Sequence, residues 1–158
     1  MEAKILSEPI KPNEIEWRVS NAKDGKMLVV PYITNRCVMD RFDRAFGIFG
    51  WQNNFSEWRG KGVKCGIGVL NTDQWIWKYD GADESDIEAT KGGFSDSMKR
   101  VAVQWGIGRD LYQYPKVYVQ ADGKYIPKWA FARLDSMVNH IISKGVETLG
   151  EMVTIKEK

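Results

Sequence analysis

Two clusters of cations carry side chains that can grip a polyanion. The first lies in the run Lys91-Gly92-Gly93-Phe94-Ser95-Asp96-Ser97-Met98-Lys99-Arg100, and the second, Arg59, Lys61 and Lys64, surrounds Gly60 and Gly62. On a helical wheel at about 100° per residue, Phe94, Met98, Val101 and Trp105 share one arc, which is expected to face a core. Lys91, Ser95 and Lys99 line up beside that arc, while Asp96 and Arg100 lie on the far side at a spacing that lets them pair. Lysines at the margin of a buried stripe suit a phosphate backbone. They equally suit an ordinary amphipathic helix with snorkelling side chains, and spacing alone leaves both open. Each of Gly92 and Gly93 disfavours a helix by about 1 kcal/mol relative to Ala. The pair therefore suggests close backbone approach to a strand, another subunit or a phosphate.

Other chemistries find less support. His140 is the only histidine, and no Ser–His–Asp set can be built around it. Cys37 and Cys65 lack CxxC spacing and a nearby histidine, which argues against zinc and for small buried thiols of a reducing compartment. The acidic stretch Asp80, Asp83, Glu84, Asp86 and Glu88 invites a metal-nuclease reading, but its spacing matches no calcium loop and a solvated loop is preferred. Gly66-x-Gly68 and Gly106-x-Gly108 lack the continuation of a nucleotide-binding motif. Trp58 and Trp75 have faces for stacking on bases, although core packing is the preferred reading for both. No catalytic residue, metal site or cofactor is expected.

Composition fits a soluble globular chain: 43% hydrophobic, 28% charged, 23 basic against 21 acidic residues for a net charge of +2. A nucleic-acid binder can carry so small an excess if its cations gather on one surface. With 158 residues a single domain is the default. Glu2, Glu8, Pro9 and Pro12 give no signal-peptide pattern, and no apolar run is long enough to span a membrane. A cytoplasmic location is expected.

The elements that must position these residues are read as follows. Glu14–Ser20 and Lys26–Ile33 are strands joined by a turn, with Pro31 confining the second to an edge or a strand end. Thr34 caps a helix that runs to Phe46 and stops at Gly47. Trp51–Trp58, Val63–Asn71 and Trp75–Asp80 form an antiparallel meander. The longest helix runs from about Ile87 to Trp105. A hairpin, Val117–Gln120 with Lys124–Ile126, is expected to turn on Ala121-Asp122-Gly123, and Pro127 opens a last helix to about Ser143. The division expected is a single-strand-binding domain over residues 1–143 and a flexible tail over 144–158. The pattern is α+β.

The string KGGFSDSMKRVAVQWGIGRDLY, Lys91–Tyr112, resembles the signature of the single-strand annealing family that includes phage Sak-type proteins, bacterial damage-response annealers and the eukaryotic mediator Rad-fifty-two. A second segment, YITNRCVMDRFDRAFGIFGWQNNF, Tyr32–Phe55, is similar to the same family's strand–helix–Phe-Gly–Gly-Trp region. The resemblance covers about Glu14 to Tyr118. It implies an antiparallel meander packed on a long helix (a βββα core), assembled into a ring or filament with single-stranded DNA in an outer basic groove. The family's adjacent Lys-Arg pair, which contacts the DNA backbone, falls on Lys99 and Arg100. Two positions depart from the pattern. Val103 stands where the eukaryotic proteins carry a further basic residue, and Cys37 where a basic residue is expected, with Arg36 one position earlier.

The function expected is binding of single-stranded DNA along its backbone and annealing of complementary strands, without bond chemistry. The DNA-binding candidates are Lys99, Arg100, Lys91, Arg36, Arg59, Lys61 and Lys64. The competing readings are a passive end-protecting protein for DNA or RNA strands and a metal-dependent nuclease. The partners expected are single-stranded DNA, further copies of the chain, and a host or phage single-strand-binding protein.

Overall fold

The computed structural model describes residues 2–60, 62–83 and 89–158. The strands and α-helices run β1 (Ile15–Lys23), β2 (Lys26–Ile33), α1 (Asn35–Phe46), β3 (Trp51–Trp58), β4 (Gly62–Asn71), β5 (Gln74–Asp83), α2 (Ala89–Gln104), β6 (Lys116–Val119), α3 (Lys128–Lys144) and β7 (Met152–Ile155). The class is α+β, with one sheet in the order β3-β4-β5 and another in the order β1-β2-β6-β7. The chain divides into two units. One comprises the N-terminal stretch through Glu8 with Thr34–Arg109; the other comprises Pro9–Ile33 and Asp110–Lys158.

In the first unit α1 begins and ends where its capping chemistry places it. Thr34 Oγ1 accepts from the Cys37 backbone N–H at 3.0 Å, and Gly47 ends the helix at φ 78°, a backbone state that favours glycine. Its buried stripe is Cys37, Val38, Arg41, Phe42 and Ala45. Phe42 stacks on Trp51 with ring centroids 5.1 Å apart and meets Trp105 edge-on at 6.2 Å. The meander forms as read, with full antiparallel ladders from β3 through β4 to β5. Strand β5 runs three residues further than read, taking Gly81, Ala82 and Asp83 out of the acidic loop, while residues 84–88 lie outside those described.

Helix α2 closes one face of this sheet. Met98, Val101 and Ala102 are buried, and so is Ser97, whose hydroxyl donates to the Phe94 carbonyl at 3.1 Å. A Cβ on Gly93 would stand 2.8 Å from Val63 Cγ2, so helix and strand touch there as only glycine allows. Close approach to a strand thus accounts for Gly93. Trp105 is half-buried and its indole N–H donates to the Ile67 carbonyl at 3.1 Å. Phe94 departs from the core reading: it remains 40% exposed, with its ring edge-on to Phe55.

The second unit centres on Trp17, Met27, Val29, Val117 and Val119 of its sheet and Ala130, Leu134, Met137 and Val138 of α3. Strand β2 is internal, but β6 pairs only with Met27–Val29. Pro31 therefore lies in the half of β2 that pairs with β1 and, among the described residues, with no residue of β6. The hairpin read at residues 117–126 does not form. Strand β6 has its two edges filled by β2 and, in parallel, by β7, so Lys124–Ile126 has no edge left to join. Residues 144–158, read as a flexible tail, carry a 3-10 turn at Val146–Leu149 and then β7, whose Ile155 is 8% exposed.

Candidate nucleic-acid interface

Strand parity divides the β3–β4–β5 sheet into two chemically different faces. Val63, Cys65, Ile67 and Val69 of β4 point to the α2 side and are buried. Lys64, Gly66 and Gly68 alternate with them and point the other way. Their cross-strand neighbours on that second face are Ser56, Asn54 and Gln52 of β3 and Gly81, Tyr79 and Trp77 of β5.

The predicted cations fall on both sides of this division. Lys99 and Arg100 stand on α2, Lys99 half-buried at the flank of the buried stripe and Arg100 exposed. Arg100 Nε meets Asp96 Oδ2 at 3.4 Å, the pairing that their spacing implied. The backbone of Lys91 belongs to α2, but its side chain lies outside the described residues, as does all of Lys61. Arg36 is exposed in the first turn of α1. Lys64 is on the opposite face of the sheet from α2. Arg59 occupies the β3–β4 turn with φ 53° and sets its guanidinium 5.4 Å from the centre of the Trp58 ring. Lys64 Nζ lies 5.0 Å from the Tyr79 ring centre and 6.0 Å from that of Trp58. The structure thus joins Arg59 and Lys64 through aromatic rings and separates Lys64 from the helix-borne pair.

The face bearing Lys64 holds two residues that the sequence reading missed, Trp77 and Tyr79. Trp75, Trp77 and Tyr79 project from it in a row, with centroids 6.4 Å and 6.0 Å apart. Trp75 is 39%, Tyr79 49% and Trp58 52% exposed. Core packing, the preferred reading for Trp58 and Trp75, does not hold, because α1 and α2 cover only the other side. The signal was present: Trp75-x-Trp77-x-Tyr79 carries three aromatics at period two, and Gly66-x-Gly68 supplies empty positions beside them.

Elsewhere the residues are quieter. Among the described residues no three of His, Cys, Asp and Glu are grouped so as to hold a metal ion. His140 is exposed and its Nε2 meets Thr148 Oγ1 at 2.9 Å. Cys37 and Cys65 are both buried free thiols. No helix among the described residues is long and apolar enough to cross a membrane.

Comparison with known proteins converges on one group. The model of the Rad52/22 family double-strand break repair protein matches residues 2–130. A protein of Deinococcus radiodurans named single-stranded DNA-binding protein DdrA is 31% identical over 143 residues, covering 80% of this chain and 66% of its own length. Its namesake from Deinococcus deserti is 32% identical over 143 residues, covering 80% of this chain and 68% of its own. This chain therefore spans about two thirds of the length of these relatives.

Proposed function

The chain belongs to the Rad52/22 family of double-strand break repair proteins, and on that footing we propose that it binds single-stranded DNA and promotes annealing of complementary strands. The observation that carries this reading is the Lys99–Arg100 pair, held on α2 by the packing of Met98, Val101 and Ala102, with Lys99 half-buried beside that core and Arg100 exposed. The match over residues 2–130 includes this helix and the whole meander, and the relatives' name speaks of single-stranded DNA.

In this proposal Lys99 and Arg100 hold successive phosphates, with Arg36 as a further contact. Backbone contacts carry no sequence information, so binding is sequence-tolerant and the bases remain free to pair. Arg100 exchanges Asp96 for a phosphate oxygen; an exposed pair of this kind is worth only about 0.3–0.5 kcal/mol, so the exchange is easy. No bond is made or broken. The unit formed by β3–β5 and α2 is the βββα element that further copies would extend into a ring or filament, lengthening the cationic track beyond one subunit.

The test is Lys99→Ala with Arg100→Ala, read by titration of a single strand across a salt series. Each phosphate contact removed flattens the slope of log affinity on log salt by about 0.7. Unchanged affinity at low salt would remove these residues from the site. Stopped-flow mixing of complementary strands separates annealing, which speeds pairing, from end protection, which slows it. Cleavage of the strand in the presence of Mg²⁺ would overturn the non-enzymatic reading.

A further inference from the structure

We infer that the face of the β3–β4–β5 sheet turned away from α2 is a base-stacking surface, on which Trp75, Trp77 and Tyr79 receive nucleobases of a single strand while Lys64 and Arg59 hold its phosphates. The inference rests on the single-strand reading above and adds a second kind of contact on the other side of the same sheet.

The first support is the fit between glycines and rings. An added Cβ on Gly68 would meet three atoms of the Trp77 indole at 2.7, 2.8 and 2.9 Å. Near-equal distances to three ring atoms mean that the ring lies face-on to the strand. A Cβ on Gly66 would likewise meet Tyr79 Cε1 at 2.6 Å and Cδ1 at 2.9 Å. Each ring therefore spends one π-face on a glycine and turns the other outward. Trp77 and Tyr79 are within 17° of parallel, so the outward faces form a continuous step. Such rings accept any base, because every base has a π-face.

The second support is charge. Lys64 and Arg59 already sit within cation–π distance of Tyr79 and Trp58. Both are long side chains that a phosphate can draw off the ring, uncovering it for a base. The β3 side chains on this face are the uncharged Gln52, Asn54 and Ser56. Among the side chains described on this face none is acidic; Asp83, opposite Gly62 at the end of β5, has its side chain outside those described. A face intended for an acidic or purely apolar partner would not combine outward π-faces, two cations and a neutral polar strand.

Abasic DNA tests the idea, since it keeps the phosphates and lacks the bases. The full chain is titrated with an oligothymidine strand and with an abasic strand of equal length. Wild-type protein is expected to prefer the strand with bases by about tenfold. Trp75→Leu and Tyr79→Leu, which retain an apolar cover, are each expected to lose most of that preference while keeping affinity for the abasic strand. Trp75 stands opposite Leu70 and not over a glycine, so its variant keeps the sheet intact and remains informative if Tyr79→Leu unfolds. Lys99→Ala with Arg100→Ala is expected to weaken both strands in parallel and to leave the ratio unchanged. Equal wild-type affinity for the two strands overturns the stacking surface and spares the single-strand reading. Failure to bind either strand overturns both. A Trp75→Leu chain that keeps the preference but changes its assembled mass assigns the face to another copy of the chain and overturns the inference.

Discussion

Arg41 Nη1 donates to the Glu8 carbonyl oxygen at 2.6 Å from a position only 1% exposed. The same nitrogen reaches the carbonyls of Ile5 at 3.1 Å and Leu6 at 3.3 Å. A buried cation thus ties α1 to the 3-10 turn Ala3–Ser7, whose Ile5 and Leu6 are themselves buried. Charge-bearing hydrogen bonds contribute about 1.5–3 kcal/mol each, and unsatisfied buried carbonyls cost a similar amount. Arg41→Met is expected to lower stability by roughly 3 kcal/mol, measured as a shifted urea midpoint. Limited proteolysis is expected to cut first within residues 2–8. A variant with an unchanged midpoint would show that the carbonyls find other donors.

Gly93 sets a helix preference against a steric limit. Alanine there would gain about 1 kcal/mol of helix propensity, but its Cβ would press on Val63 Cγ2 at 2.8 Å. Valine is stiff about χ1, and overpacking costs about 1–3 kcal/mol. Gly93→Ala is therefore expected to destabilise by about 1 kcal/mol. In a Val63→Ala background the sign is expected to reverse, because the methyl that blocks the new Cβ is gone. A stabilising effect in the wild-type background would sink the close-approach account.

What could be read from the chain beforehand follows the range over which each signal acts. Thr34 and Gly47 mark the ends of α1 by local hydrogen bonding and local backbone preference, so the helix was legible. The Lys99–Arg100 run was legible as a motif, and its pairing with Asp96 as a helical spacing. Strand β6 misled because Ala121-Asp122-Gly123 is a sound local turn signal, while the partners β2 and β7 lie far away in sequence. The burial of Arg41 carried no local signal, since the carbonyls that receive it belong to a segment 33 to 36 residues earlier. Arg59, Lys61 and Lys64 were legible as a cluster apart from the helix-borne cations, but only the strand's parity relative to α2 puts Lys64 on the opposite face of the sheet.

Asp96 offers a way to raise affinity. Its carboxylate holds Arg100 at 3.4 Å, and both side chains are more than half exposed. Under the proposed function Asp96→Asn releases the guanidinium for phosphate and removes a negative charge from the track. Affinity for a single strand is expected to rise severalfold at low salt and to converge with wild type at high salt, where screening hides the difference. Thermal stability is expected to move by less than about 0.5 kcal/mol. Weaker binding would mean that the carboxylate positions Arg100 for its task.

Burial makes two ordinarily alkaline groups later still to ionise. It pushes the Cys65 thiol from 9.0 up to about 12. The Tyr114 hydroxyl goes from 10.0 to about 12, through burial first and the nearby Asp110 charge second. Both are neutral acids whose folded-state values exceed the unfolded ones. The stability they contribute is complete below about pH 9 and is lost as pH rises towards about 12. The urea midpoint of wild type is expected to fall through that window, and Cys65→Ala to fall less steeply. Parallel pH profiles for the two chains would remove Cys65 as a cause.

Strand β7 gives the last test, because a loose tail and a paired strand predict opposite results. Its register sets Val153 beside Val117 and Ile155 beside Val119, both β6 residues being fully buried. Ile155 is 8% exposed, and Arg133 Nη2 donates to the Glu157 carbonyl at 2.6 Å, fastening the segment to α3. Deleting a buried isoleucine side chain to alanine costs about 2–5 kcal/mol, with short terminal strands at the lower end because they can relax. Ile155→Ala is therefore expected to lower stability by about 2 kcal/mol. Amide exchange at Val117 and Val119 is expected to quicken as the parallel ladder loosens. Single-strand affinity is expected to hold, since β7 and the cations of α2 belong to different units. An unaltered midpoint together with fast wild-type exchange across residues 152–155 would restore the flexible tail.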